Sequence, residues 1–181
     1  MKKFELTNEF VTNMFGTKLF RIRALVEFGD VEAGELGGYV EKESNLGHDD
    51  NAWVYDNAWV YGDAQVSDNA RVYDNARVYG DAQVSGDARV CGDARVCGNG
   101  DYAYAHGFGS VNRTTTFFRL KDGGVGVRCG CFYGTLAQFR DKIRETHGET
   151  KKAQEYLMLA DLMELRFEED ENEVGNRKYV E

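Results

Sequence analysis

A short stretch late in the chain, from Gly109 to Thr116, carries residues well suited to hold an anion. It supplies small residues, hydroxyls, one amide and one guanidinium: Gly109, Ser110, Asn112, Arg113, Thr114, Thr115 and Thr116. Small residues leave backbone N–H groups accessible, hydroxyls donate hydrogen bonds, and an arginine can hold a phosphate through two parallel hydrogen bonds. The same composition also describes a β-strand with exposed hydroxyls, because threonine favours strands. The stretch therefore predicts either an anion site or an ordinary threonine-rich strand.

Three residues just before this stretch extend the candidate site. Tyr102 and Phe108 offer aromatic rings that can stack on a nucleobase, and His106 is a possible general base. A histidine with its ring nitrogens satisfied, capping the end of the fold, is the structural alternative for His106. Phe108 stands where the upstream repeat would place a valine, and we expect it to plug the end of a narrow core.

The upstream sequence that must position these residues is a run of hexads from Ala52 to Asn99. Its eight units, with no insertion, are AWVYDN, AWVYGD, AQVSDN, ARVYDN, ARVYGD, AQVSGD, ARVCGD and ARVCGN. Ala and Val two apart point to the same side of a strand, and the closing Gly/Asp and Asp/Asn pairs are turn formers. Such a short period is typical of a solenoid. Three hexads would make one triangular coil of eighteen residues, with coils stacked at about 4.8 Å.

The hexads resemble the hexapeptide-repeat left-handed β-helix, in which an aliphatic residue is followed four positions later by a small one. Val60 to Ala64 and Val78 to Ala82 follow that form. The resemblance implies a mainly β fold, a triangular left-handed parallel β-helix. It says little about activity, since fold and function are separate questions.

The outward residues of the hexads form three unlike columns. One side carries Trp53/Tyr55, Arg71/Tyr73 and Arg89/Cys91; the next carries Trp59/Tyr61, Arg77/Tyr79 and Arg95/Cys97; the third carries Gln65/Ser67 and Gln83/Ser85. Arginines stacked over aromatic rings fit a trimer interface, a ligand-facing wall, or solvated ladders that keep the coils in register. The sequence leaves these three readings open.

Non-repeat sequence flanks the hexads and predicts two caps. Residues 1–45 form an N-terminal β cap with strands near Phe4–Leu6 and Leu19–Val26 and a loop over Gly34–Tyr39, and the β-helix covers residues 46–110. Residues 111–167 form a β-hairpin and two helices, the first starting at Thr135 with Gln138 in a capping box and the second near Thr150. Residues 168–181 are a loose acidic tail. Caps of this kind protect the open strand edges of a solenoid.

The bulk composition excludes several classes of function. The 181-residue chain has a net charge of −9 and a pI of about 4.9, which argues against a nucleic-acid polymer as partner. No apolar run follows the first lysines and no segment reaches membrane-spanning length, so we expect a cytoplasmic protein without a membrane partner. Four cysteines at this spacing are a poor zinc signal, and corner aspartates are turn residues; we therefore expect reduced thiols, no metal and no cofactor.

The whole chain is similar to a set of proteins common in bacteriophage and prophage genomes. The residues that carry the similarity are ELGGYVEKE from Glu35, the hexads, GSVNRTTTFF from Gly109, CGCFYGT from Cys129 and ETHG from Glu145. Relatives place a basic residue directly after the Gly-Ser pair, whereas this chain has Val111 there and Arg113 two positions later. Proteins of similar architecture are hexapeptide transferase-like, and some phage proteins sequester immune nucleotide signals. The resemblance thus implies a host-cytoplasmic phage protein.

Three functions remain open at this point. One is a homotrimeric binding protein that sequesters a nucleotide-like ligand at subunit clefts without turnover, with no catalytic residue. Another is an acyltransferase that uses acetyl-CoA, with His106 as the base; the absence of a loop leaving the coil argues against it. The third is a structural solenoid, which capped ends argue against because caps block open-ended stacking.

Overall fold

The computed structural model describes residues 1–109 and 111–168. Within them the chain is mainly β, with two helices at the C-terminal end. The strands are β1 (Phe4–Thr12), β2 (Lys18–Ala24), β3 (Leu36–Val40), β4 (Trp53–Val54), β5 (Trp59–Val60), β6 (Gln65–Val66), β7 (Arg71–Val72), β8 (Arg77–Val78), β9 (Gln83–Val84), β10 (Arg89–Val90), β11 (Arg95–Val96), β12 (Tyr102–Phe108), β13 (Arg113–Arg119), β14 (Val125–Cys129) and β15 (Phe132–Thr135); the helices are α1 (Leu136–His147) and α2 (Lys151–Phe167).

The hexads build a three-sided parallel β-solenoid, as the repeat predicts. Strands eighteen residues apart pair in parallel: β4, β7 and β10 on side one, β5, β8 and β11 on side two, β6 and β9 on side three. Every alanine and valine of the eight hexads is fully buried in one continuous core. Burial of each valine side chain contributes about 2 kcal/mol, because apolar surface leaves water. The alternation of inward and outward residues is therefore what drives the fold.

The corners take the left-handed backbone that their sequence predicts. The first residue of each closing pair, from Asp56 to Gly92, has a φ between 52° and 70°. Glycine adopts this conformation freely, and aspartate tolerates it better than most residues. At Gly98 the φ is −160° instead, and the repeat ends there.

The parallel stack begins earlier than the hexads do. Strand β3 pairs in parallel with β5, Tyr39 opposite Trp59 and Val40 opposite Val60, so the predicted loop over Gly34–Tyr39 was wrong. Gly37 and Gly38, which are typical of a loop in composition, lie within β3. An added Cβ would lie 2.5 Å from the Val54 carbonyl oxygen at Gly37 and 2.6 Å from that of Ala58 at Gly38. These glycines therefore permit close packing of the first coil.

Two antiparallel strands extend side two at the N-terminal end. Strand β1 pairs with β2, and β2 with β3, so that β1-β2-β3-β5-β8-β11 form one sheet. The bulky side chains of Phe4 and Trp53 are fully buried there, with Phe28 edge-on to the Trp53 ring. This aromatic cluster closes the N-terminal end of the narrow core.

The C-terminal end is closed by a four-stranded antiparallel sheet, β12-β13-β14-β15, which the two helices cover. The two faces of β13 pack against different cores. Phe118 packs into the solenoid core, and Phe117 packs into the core beneath the helices. Phe108 was predicted to be the plug, but it is 40% exposed at the end of β12. The hexad frame does not continue past Gly98, because Asn99–Asp101 form a 3₁₀ turn that redirects the chain into the sheet.

On all three sides, side-chain oxygens take the place of the backbone carbonyl acceptors that a further coil would supply. Within the stack, the N–H of Arg71 donates to the carbonyl of Ala88 one coil further on. At the last coil the N–H groups of Arg89, Gln83 and Cys97 donate instead to Thr116 Oγ1 (2.9 Å), Asn99 Oδ1 (2.8 Å) and Asp101 Oδ2 (3.0 Å). Satisfying these donors prevents the open edge from pairing with another chain.

The helical predictions are confirmed. Thr135 and Gln138 form the capping box of α1, and α1 ends at His147 before Gly148. The Thr150 hydroxyl accepts from the N–H of Ala153 and so caps α2. The predicted hairpin is β13–β14, with a turn at Asp122–Gly123. Its second strand ends at Cys129, because Gly130 turns the chain and Phe132 starts a further strand, β15. The four cysteines are free thiols, and residues 169–181 lie outside the described residues.

Candidate functional site

A cleft of about 520 Å³ lies between side one of the solenoid and the C-terminal sheet. It is lined by Asn51, Asn69, Arg71, Asp87, Arg89, His106, Val111, Asn112, Arg113, Thr114 and Gly130. We call it the arginine cleft, after Arg71, Arg89 and Arg113. The solenoid contributes the first five residues; β12, β13 and their connection, together with the β14–β15 turn, contribute the rest.

One edge of the arginine cleft is a ladder of corner residues. The Asn51 amide donates to Asn69 Oδ1 at 3.0 Å, and the Asn69 amide donates to Asp87 Oδ1 at 3.3 Å. Each residue is eighteen positions from the next, so the ladder repeats once per coil. These hydrogen bonds hold the corner rigid beside the outward arginines, which follow two residues later on side one.

Two arginines of side one face the cleft from consecutive coils. Arg71 pairs with Arg89 in the parallel ladder between β7 and β10. The Arg71 guanidinium forms an ion pair with Asp30 at 2.8 Å, which partly neutralises it. Arg89 is exposed, and its backbone is held by the hydrogen bond to Thr116. Arg89 therefore presents its charge to the cleft from a fixed backbone.

The C-terminal sheet supplies the third arginine and a histidine. Arg113 is the first residue of β13 and lies against Gly130, where an added Cβ would overlap its guanidinium. Next to it, His106 Nδ1 lies 2.9 Å from Thr114 Oγ1 across the β12–β13 pair. Asn112, with a φ of 50°, makes the turn that brings Arg113 to the cleft. The result is three guanidiniums, an imidazole and several amide and hydroxyl groups around one opening.

The structure brings four of the predicted residues together: His106, Asn112, Arg113 and Thr114 line the arginine cleft. Thr115 and Thr116 do not, because both are fully buried in β13. Thr115 donates to Cys129 Sγ at 3.1 Å, and Thr116 accepts from Arg89. Of the three threonines, Thr114 lines the cleft, whereas Thr115 and Thr116 are structural residues of the strand.

The other predicted residues lie elsewhere. Tyr102 lines a separate cleft of about 440 Å³ with Tyr104 and Arg166, and its hydroxyl donates to the Gln83 carbonyl at 2.6 Å. The carbonyl of Phe108 accepts from the Tyr156 hydroxyl at 3.4 Å, and the N–H of Gly109 donates to Glu155 Oε2 at 3.4 Å, so both residues contact α2. Ser110 lies outside the described residues.

A second, smaller cleft of about 240 Å³ adjoins the first on side one. It is lined by Asp30, Tyr55, Asp56, Arg71, Tyr73, Arg89 and Arg128. We call it the tyrosine cleft. Because Arg71 and Arg89 line both openings, the two clefts share one wall. Arg128 reaches the tyrosine cleft from β14 with its guanidinium 5.8 Å from the Tyr73 ring centroid.

Titratable groups of the tyrosine cleft are shifted by their surroundings. Burial raises the pKa of Tyr55 to about 12, and the nearby Asp30 carboxylate adds to this shift while Arg71 opposes it. Partial burial acts to raise the pKa of Asp30, but the Arg71 guanidinium and the Tyr55 hydroxyl outweigh it and hold that pKa below its ordinary value. At neutral pH this cleft therefore has a neutral phenol beside an ionised carboxylate.

Sequence reasoning did not assign Arg71, Arg89 or the Asn51–Asn69–Asp87 ladder to a site. The signal was present, since the column on side one was one of the two arginine columns for which a ligand-facing wall was one of three interpretations. What the sequence lacks is the direction in which the C-terminal sheet folds back. The hydrogen bond from the Arg89 N–H to Thr116 of β13 brings the C-terminal sheet against the end of this column.

A family model described as YdcK Beta solenoid repeat matches residues 64–80, 70–86 and 82–98. The matches lie within the hexads and agree with the parallel β-solenoid of the structure. No curated protein matches the chain.

In residues 1–109 and 111–168, no helix has both the length and the apolar character to cross a bilayer. The same part of the chain contains no group of three or more His, Cys, Asp and Glu side chains arranged to hold a metal ion.

Proposed function

We propose that the protein binds and sequesters a phosphate-containing small molecule of the nucleotide type in the arginine cleft, without turning it over. The observation that carries this proposal is the convergence of Arg71, Arg89 and Arg113 on one opening of an otherwise acidic chain. Asp87 is the one carboxylate among the lining residues and Asp30 pairs with Arg71, so the three arginines still leave a net positive charge at the cleft.

The geometry suits a phosphate in particular. Arginine pairs with phosphate oxygens through planar, two-pronged hydrogen bonds, and each such charge-assisted bond contributes more than a neutral one. Thr114 and Asn112 add a hydroxyl and an amide that can donate to the remaining oxygens. Hydrogen bonds to charged groups contribute about 1.5–3 kcal/mol, so loss of one arginine should weaken binding roughly ten- to hundredfold.

Titration of the purified protein with inorganic pyrophosphate and with nucleoside 5′-monophosphates and diphosphates tests the proposal. The variant Arg113→Ala should lose most of the affinity while the melting temperature stays within a degree or two of wild type. Arg144→Ala is the matched control, because Arg144 is an exposed arginine of α1 paired with Asp141 and lies away from the cleft residues. Equal binding by all three proteins would refute the assignment.

Recovery of the ligand separates sequestration from catalysis. A nucleotide released intact after denaturation of the complex supports a binding protein, since sequestration requires only affinity. The alternative, acyl transfer from acetyl-CoA, rests on His106 at the same cleft, where its ring contacts Thr114. It predicts turnover that His106→Asn abolishes while ligand binding persists.

The biological role that we propose is removal of a nucleotide immune signal by a phage-encoded protein in the host cytoplasm. Support for it is the similarity to phage and prophage proteins, together with the phosphate chemistry of the cleft. We propose in addition that the protein is a homotrimer. The cleft residues come from one chain, so binding and self-association can be tested separately. Light scattering should give three times the 20.4 kDa chain mass; a monomer would exclude the trimer and leave the cleft unaffected.

A further inference from the structure

We propose that the tyrosine cleft is the base compartment of the same site and that it selects guanine through Asp30. This inference rests on the proposed function, since it assumes that the ligand's phosphate lies in the arginine cleft. The two clefts share Arg71 and Arg89. A ligand whose phosphate contacts Arg89 can therefore extend along side one into the tyrosine cleft.

The charges of the tyrosine cleft favour a base over a second phosphate. Three arginines and two aspartates line it, against three arginines and one aspartate in the arginine cleft, so the tyrosine cleft is the less positive of the two and attracts a phosphate less. Asp30 also neutralises Arg71 at 2.8 Å. Arg128 lies over the Tyr73 ring, and a planar guanidinium in that position offers a flat face on which a base can stack.

The Asp30 carboxylate is oriented by hydrogen bonds from Tyr55, from Arg71 and from its own backbone N–H, and its side chain is nevertheless 58% exposed. Its Oδ1 accepts from the Tyr55 hydroxyl at 3.1 Å, and its Oδ2 accepts from Arg71 Nη1 at 2.8 Å. An ionised carboxylate has about four lone-pair positions, two on each oxygen. Because more than half of the Asp30 side chain is exposed, its two oxygens stay accessible to a ligand as a pair of parallel acceptors.

Guanine is the common base that meets two parallel acceptors with two donors. Its N1–H and its exocyclic 2-amino group are adjacent, and its O6 beside them accepts from an arginine. Adenine offers one amino group next to the acceptor N1, and uracil offers one N–H between two carbonyls. Each of these bases would place a lone pair against Asp30. Hypoxanthine keeps N1–H and O6 and lacks only the 2-amino group.

The test compares GMP, IMP, AMP and UMP by calorimetry, with inorganic pyrophosphate as a probe of the arginine cleft alone. The inference predicts that GMP binds about tenfold tighter than IMP, because one hydrogen bond to a charged group is lost. Asp30→Asn should bring the two affinities within about twofold of each other, and it should not weaken pyrophosphate binding, because the substitution also releases the Arg71 guanidinium from its ion pair. Asp30→Ala should do the same, and melting curves of both variants check that they fold.

The outcomes separate this inference from the function on which it rests. Pyrophosphate binding with equal affinities for GMP and IMP overturns the guanine assignment and leaves the arginine cleft standing. A GMP preference that survives in both Asp30 variants also overturns it. No binding of pyrophosphate or of any nucleotide removes both the proposed function and this inference.

Discussion

The side-chain hydroxyl of Thr116 accepts a hydrogen bond of 2.9 Å from the backbone N–H of Arg89. Thr116 is fully buried in β13, and Arg89 starts β10, the last strand of side one. The contact replaces the hydrogen bond that a further coil would make. It also joins the two halves of the arginine cleft, because Arg113 lies on the same strand as Thr116.

Replacing Thr116 by valine tests this junction. Valine keeps the shape but leaves the Arg89 N–H without its acceptor, and a buried unsatisfied donor costs about 1–3 kcal/mol. Urea denaturation should show that loss in the free energy of unfolding. Thr116→Ser is the matched control, because it retains the hydroxyl, and it should recover most of the lost stability. Equal stability of wild type and Thr116→Val would mean that another group satisfies this N–H.

Phe118→Ala should be among the most damaging single substitutions at the C-terminal end. Phe118 is fully buried and closes the solenoid core, and removing a buried phenylalanine ring costs about 3–5 kcal/mol. Phe108→Ala is the natural comparison, since Phe108 is 40% exposed, and should cost much less. Thermal and urea unfolding of the two variants measure the difference; the reverse ranking would restore Phe108 as the plug.

The stability should rise with pH just above neutrality because of Lys3. Its ammonium is buried and donates to the carbonyls of Asp49, Asp50 and Ala52 at 3.3, 3.4 and 2.9 Å. Burial lowers the pKa of Lys3 from 10.5 to about 8, although Asp50 and Asp49 oppose the shift. Between those two pH values the unfolded chain binds more protons than the folded one, so raising the pH favours the folded state.

Urea unfolding at pH 7.0 and 8.5 measures this effect. The free energy of unfolding should increase by about 0.5–1 kcal/mol in wild type, by linkage, and by clearly less in Lys3→Met. Burial raises the pKa of Cys91 from 9.0 to about 11. That shift lowers the free energy of unfolding as the pH rises, and it does so mainly above pH 9. A wild-type stability that falls over this interval would contradict the low pKa of Lys3.

Much of the fold could be predicted because one short pattern repeats eight times. Ala and Val two positions apart indicate which face of each strand is buried. The Gly or Asp that opens the closing pair of each hexad indicates where the chain turns. The first coil was harder to predict, since Gly37 and Gly38 permit close packing and have the same composition as a turn. The repeat pattern also gave no signal that Asn99, Asp101 and Thr116 would act as edge acceptors, because each works through a contact with a distant N–H.

The candidate site was only half predictable for a related physical reason. Arg113, Asn112, Thr114 and His106 are close in sequence, so their composition alone indicated anion chemistry. Arg89 and Arg71 join them only because β13 docks on side one. Thr115 and Thr116 were assigned to the site by composition, but β13 is covered on one face by the solenoid and on the other by the helices, so both of these consecutive residues are buried.

The central claim is that the solenoid wall and the C-terminal sheet hold one ligand between them. The most direct test is a calorimetric double-mutant cycle for pyrophosphate with Arg89→Ala, Arg113→Ala and the double variant. Each single variant should lose about tenfold or more in affinity, and the double variant should lose less than the product of the two, because both arginines contact the same anion. If Arg89→Ala binds as wild type does, the wall is not part of the site and the account is wrong.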